Sequence, residues 1–365
     1  MNTSMAVQDH NASGGNFTFY SQADEDAARQ LTVAKDMFYA SYMWIFFLLG
    51  FPGNIACVAT VLRMSTLSTA TLYVALLAVV DAIALLLKLV FHQLIVNKVT
   101  LGDVGCSLVS FVNITSCYAN WVLVLVCLER FLAVSFPLKK GIYFTKRRAC
   151  VIAAVLFLFI FLIHTHLFFI FVPSGNTCRF GVIWGDAWKW ISTLIYCFLP
   201  FFFLLVLTTL IVVGLRRYQA ARKSLLGCQT QKHSKKDKRN DSWTLEHTIS
   251  IMMVLAAVVF LVLTLPICVF IIYTGLYREG DNPLEKARRQ FVEQLVYFMQ
   301  DLTHVVNFYL YFLAADKFRS KFKDMISCRP TLDRKRSDTN NSVLHTQYTL
   351  ANSTENIPMS EIALV

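Results

Sequence analysis

Residues 125–136 read LVCLERFLAVSF, which sets a carboxylate beside a guanidinium, Glu129 and Arg130, at the end of an apolar run. Three more ionisable side chains stand inside such runs: Asp81 and Lys88 in LAVVDAIALLLK, and Asp301 in FMQDLTHVV. An unpaired charge in apolar surroundings is neutralised or costs several kcal/mol, so such groups pair or serve a function. Their spacing does not suit catalysis. No two carboxylates are placed for acid–base work within the runs. There is neither an H-E-x-x-H zinc motif nor a G-x-S-x-G nucleophile elbow. An enzyme, a metal and a cofactor are therefore not expected. What remains is charge pairing that can be made and broken, the chemistry of a switch.

The elements that must hold these groups are membrane helices. Of 365 residues, 56% are hydrophobic, and the mean hydropathy is +0.52. Seven apolar stretches lie near 39–64, 71–96, 106–133, 149–172, 189–214, 249–274 and 291–313. Each reaches the roughly 20 residues that a helix needs to cross a bilayer. They are too long for barrel strands and lack steady alternation. The expected fold is an all-α membrane protein, a seven-transmembrane helix bundle over 39–314. An extracellular tail over 1–38 precedes it. A short amphipathic eighth helix over 315–327 and a cytosolic tail over 328–365 follow. No internal repeat of the kind that builds transporters is present.

Lysine and arginine set the orientation. About 23 fall on one side of the spans and about 8 on the other. The rich side holds Lys139, Lys140, Lys146, Arg147 and Arg148, the stretch 216–239 and the stretch 317–323. That side is expected to be the cytosol, with the N-terminus outside and the protein in the plasma membrane. The net charge of +11 is then a topology signal rather than a nucleic-acid footprint.

Depth follows from helical rise. Arg130 lies about 36 Å along its helix from Cys106, at the cytosolic mouth. Glu246 lies about 30 Å before Pro266 on span 6, at the same mouth. A clasp between Arg130 and Glu246 would hold span 6 in, and breaking it would open a cavity. The alternative is that these charges only mark the membrane edge. Asp81 and Lys88 are seven residues apart and share a helical face. Lys88 and Asp301 lie at similar depth and either pair or face separately to an interface and a wet cavity.

Of ten cysteines, only Cys106 and Cys178 fall at the oxidising face, which predicts one disulfide from span 3 to the second outer loop. Asn2, Asn11 and Asn16 head outer glycosylation sequons. The loop 215–247 is basic, with a middle expected to be disordered. In DKFRSKFKDMISC, Phe318, Phe322, Met325 and Ile326 share one face, which places a helix on the inner membrane surface with Cys328 as a palmitoylation candidate. Ser337, Thr339, Ser342, Thr346, Thr349, Ser353 and Thr354 are available kinase sites, whose phosphates would supply charge for an arrestin, or hydroxyls of an ordinary polar tail.

These motifs, in this order, resemble the rhodopsin-like G protein-coupled receptors. LERFLAVSFPL resembles the Asp/Glu-Arg-Tyr end of their third helix. GFPGN, through Asn54, and LYVALLAVVDAIALL, through Asp81, resemble helices 1 and 2. VVNFYLYF keeps Asn307 and Tyr311 of the seventh-helix motif, and Pro200 and Pro266 match the prolines of helices 5 and 6. Cys106 and Cys178 match the family's outer disulfide. The likeness spans about 40–327, and NWVLVLVCLERFLAV and VNFYLYFLAADKFRSKF look most like invertebrate FMRFamide-receptor-like neuropeptide receptors. The resemblance implies an extracellular peptide ligand and a heterotrimeric G protein. Glu129, Arg130, Glu246, Asn307 and Tyr311 would form the activation switch, and Asn54, Asp81 and Asn307 a buried polar network. The sequence departs from the family pattern at Thr208, Thr264, Phe308, Phe157 and Ala119.

A retinal lysine is absent from 291–313, and Val112 and Asn113 stand where an amine receptor carries an aspartate. A peptide remains the leading ligand, with Lys88, Asp301, Glu293, Arg179, Trp184 and Trp188 as candidate contacts. Asp301 or Glu293 would meet the cation of an Arg-Phe-amide end. A chemosensory receptor of the same fold for small molecules is the alternative, ahead of a transporter or channel.

Overall fold

Polar caps, more than the ends of the apolar runs, decide where the helices begin. The protein is represented by a computed structural model that describes residues 21–64, 68–136, 145–174, 177–180, 190–227, 236–277, 282–314 and 316–327. The Ser21 hydroxyl accepts the Ala23 N–H at 3.2 Å and opens α1 (Gln22–Leu62), so the expected tail over 1–38 is helical from Gln22 onward. Ser68 opens α2 (Thr69–Val96) in the same way, through the Thr71 N–H. Then come α3 (Asp103–Ser135) and α4 (Lys146–His164), the latter capped by Thr145.

The fourth span ends earlier than expected. The chain leaves α4 at His164, makes one turn at Leu167–Ile170 and enters β1 (Phe171–Ser174). Pro173 cannot donate a helical hydrogen bond, which suits strand here rather than continued helix. An antiparallel pairing with β2 (Thr177–Phe180) follows, with Pro173 opposite Cys178. A π-helical turn, Leu194–Phe198, leads into α5 (Leu199–Gly227). The helix α6 (Lys236–Leu276) starts well before its apolar run, so of the loop expected to be disordered only 228–235 lie outside the described residues. The last span is α7 (Pro283–Ala314), and α8 (Asp316–Ile326) follows it.

Six of these helices are long and apolar enough to cross a membrane among the described residues, and α7 is the seventh of the bundle. It is more polar because its inner face carries Gln300, Asp301, Thr303, His304 and Asn307, all buried. On α2 the stripe Val79, Ile83, Leu86 and Val90 is exposed while Asp81, Leu85, Lys88 and His92 are buried. Apolar side chains face out and polar ones face in, the arrangement that lipid demands.

The chain divides into two units, one running through Arg319 and one beginning at Ser320. In the first, α1 packs on α2 and α7, α2 on α3, α3 on α4, α5 and α6, and α6 on α7. The α3 helix runs through the core, where Leu123 and Cys127 pack with Ile160 of α4, Leu204, Leu207 and Ile211 of α5, and Phe260 of α6. In the second unit the described residues are the last turns of α8 and Ser327.

The close approach of α1 to α7 depends on two glycines of GFPGN. A Cβ on Gly53 would lie 3.1 Å from the Phe308 ring, and one on Gly50 would lie 2.6 Å from Leu85 and 3.3 Å from the Val305 backbone. Phe308 therefore fills space that Gly53 leaves. Gly53→Val is expected to destabilise the protein by about 1–3 kcal/mol through overpacking. Gly102→Ala, where nothing lies within 4 Å, should be close to neutral. Thermal unfolding of the purified protein checks both.

Candidate functional site

Three polar clusters lie along the bundle between the disulfide end and the Arg130 end. At the disulfide end, Cys106 and Cys178 are joined with a Cα–Cα distance of 5.7 Å, tying α3 to β2.

At the opposite end, Glu129 is 0% and Arg130 2% exposed. Neighbours in a helix do not normally face each other, so the long Arg130 side chain folds back. Its Nε donates to Glu129 Oε2 at 2.6 Å and its Nη2 lies 2.5 Å from the same oxygen. The other oxygen, Oε1, accepts the Thr69 hydroxyl at 2.7 Å. Thr69 is the first residue of α2, where the helix dipole also favours a carboxylate. One carboxylate thus holds the guanidinium and the start of α2 together. Sequence reading missed Thr69. The Ser68 cap was its only signal, and that marks a helix start without showing what faces it. Glu246 lies within α6, but the side chains of 241–249 are outside the described residues, as is any clasp with Arg130.

Midway along the bundle, Asp81 is 1% exposed and accepts two hydrogen bonds from α7. His304 Nδ1 donates to Oδ1 at 2.8 Å, and Asn307 Nδ2 to Oδ2 at 2.8 Å. Asn54 Nδ2 of α1 donates to the His304 carbonyl at 2.9 Å. The three residues expected in a buried network are in one place, and His304, absent from the expected set, is at its centre. Tyr311 is buried one turn further on, its ring 6.5 Å from that of Phe318.

Nearer the disulfide, Lys88 Nζ lies 2.5 Å from Asp301 Oδ1, and the Tyr42 hydroxyl donates to Asp301 Oδ2 at 3.1 Å. Around them stand Phe38, Tyr39, Phe46, His92 and Phe298, ring to ring. Asp301 thus already has a cation. Glu293, also on α7, is half-buried. Arg179 pairs through its backbone with Val172, and its side chain, like Trp184 and Trp188, is outside the described residues. The same holds for Asn2, Asn11, Asn16, Cys328 and the tail hydroxyls.

Three of the positions that depart from the resembled pattern are buried or packed in the bundle. Thr264 and Thr208 are buried, with hydroxyls that make no hydrogen bond among the described residues. Phe157 meets Tyr118 edge-on at 5.2 Å, and the Tyr118 hydroxyl donates to the Ala153 carbonyl at 3.0 Å.

Removing His304 takes one of two donors from a buried carboxylate. His304→Ala is expected to destabilise the bundle by about 1.5–3 kcal/mol, the loss of one hydrogen bond to a charged acceptor. His304→Asn, which can still donate, should lose less, and the melting temperatures of the two variants check the order.

Residues 53–346, well over half of the chain, match the family described as 7 transmembrane receptor (rhodopsin family). The chain is also similar to the alpha-1A adrenergic receptor of Oryzias latipes, 31% identical over 126 residues. That match covers 33% of this chain and 27% of the relative's length. The family is one of receptors rather than enzymes. With its bundle, its disulfide and its buried Glu129–Arg130 pair, the chain belongs to the rhodopsin family of seven-transmembrane receptors.

Proposed function

We propose that this receptor sits in the plasma membrane with its disulfide end outside, binds a peptide there, and activates a heterotrimeric G protein at its Arg130 end. The observation that carries the reading is the burial of Arg130 by Glu129 and Thr69. At 2% exposure the guanidinium has no access to a partner outside the bundle. A shift of α3 against α2 would expose it, and breaking the pair without a new partner is costly. A G protein helix that accepts the guanidinium supplies that partner, and a ligand at the far end biases the same two states.

The orientation rests on the excess of Lys and Arg at the Arg130 end. Glycans at Asn2, Asn11 and Asn16 and palmitate at Cys328 fit that orientation, as do receptor kinases and an arrestin acting on the tail.

The adrenergic relative's name suggests an amine ligand, but α3 offers no carboxylate for one. Its acidic residues are Asp103 in the first turn and Glu129 at the other end. Asn113, in the intervening stretch, donates to the Val109 carbonyl at 2.9 Å. A peptide fits better, given the likeness of the third and seventh helices to FMRFamide-receptor-like sequences. Its contacts would include Lys88, Asp301, Glu293, Arg179, Trp184 and Trp188.

Calcium release in cells carrying this receptor and a promiscuous G protein, challenged with a library of amidated neuropeptides, tests the reading. The expected result is a nanomolar response to one peptide family, abolished by Arg130→Ala at unchanged surface expression. Silence toward every peptide from a well-expressed receptor, with responses to small odorants instead, would favour the chemosensory alternative.

A further inference from the structure

We infer that the ligand's buried anchor is a hydrogen-bond acceptor, a carboxylate or an amide carbonyl, held by Lys88. The inference rests on reading the disulfide end as the ligand end. It reverses the expectation that Asp301 receives a cation.

Both oxygens of Asp301 are engaged, Oδ1 by Lys88 and Oδ2 by Tyr42. A ligand cation aimed at Asp301 must displace Lys88 and leave a buried ammonium without its counter-charge, which is costly. Lys88 is differently placed. An ammonium has three donors, and Lys88 makes one hydrogen bond among the described residues. The other buried acids there are Asp81, which accepts from His304 and Asn307, and Glu129 at the far end of the bundle. Among the described residues the spare Lys88 donors thus have no acceptor, although the side chain is only 9% exposed.

The Tyr42 hydroxyl of α1 donates to Asp301, and the rings of Phe38, Tyr39, His92 and Phe298 stand against that of Tyr42. These rings give an aromatic wall to an acceptor seated on Lys88. An amine entering the same space would meet the ammonium's own charge.

The test uses the full-length receptor in nanodiscs and three probes that share a phenylethyl group: N-acetylphenylalanine, N-acetylphenylalaninamide and phenethylamine. The first two carry acceptors, and the free acid and the amide separate charge from carbonyl. At about ten times its Kd an acceptor probe should raise the Tm of the wild type by about 3 °C. Lys88→Arg should keep the shift and Lys88→Met should lose it. The charge swap Lys88→Asp with Asp301→Lys keeps an ion pair but moves the ammonium to α7. It should restore the ligand-free Tm without restoring the shift. A Tm raised by phenethylamine and not by the other two would overturn the inference. So would a charge swap that restores the shift, or the absence of any shift with all three probes. None of these readouts uses G protein signalling, so failure of the peptide library and failure of the Lys88 inference are distinguishable.

Discussion

Glu129 against Arg130, with Thr69 on the carboxylate's second oxygen, is the interaction on which the proposed resting state depends. A guanidinium in apolar surroundings is tolerated only while a carboxylate neutralises it and that carboxylate is itself hydrogen-bonded. Because both charges are on adjacent residues of α3, the pair can persist while α3 moves. The Thr69 bond cannot, since it crosses to α2. The Thr69 bond, a neutral donor on a charged acceptor, is worth about 1.5–3 kcal/mol, and a shift of α3 against α2 must break it. That size suits a two-state element, which a ligand of modest differential affinity can bias.

The same rule organises the other clusters. Asp81 on α2 is met by His304 and Asn307 on α7, and Lys88, two turns along α2, meets Asp301, about one turn from His304 on α7. The two helices are thus joined at two depths by charge or near-charge, with α1 entering each cluster through Asn54 and Tyr42. Gly50 and Gly53 let α1 come close enough for this. The polarity that keeps α7 from reading as an ordinary apolar span is the same polarity that holds the bundle together.

The architecture was legible in the sequence because lipid imposes a simple code of length and composition on each span. The disulfide was legible because only two cysteines fall at one face. Depth along a helix placed Lys88 level with Asp301, and the structure brings them together, but it could not choose between pairing and separate roles. Thr69 and His304 were not legible. A hydroxyl or an imidazole does not stand out in an apolar run as a carboxylate or an ammonium does, and its importance comes from what another helix sets against it. The helical start of α1 at Gln22 and the hairpin after His164 were missed for a related reason: caps and a proline set them outside the apolar pattern.

The most direct measurement of the resting lock is ligand-independent signalling by Glu129→Gln, normalised to surface expression and compared with Thr69→Val. Both changes weaken the hold on Arg130 without touching the disulfide end. The lock predicts basal activity above wild type in both, larger for Glu129→Gln, which removes the counter-charge as well as weakening the Thr69 link. Basal activity equal to wild type in both variants, at equal surface expression, would contradict it.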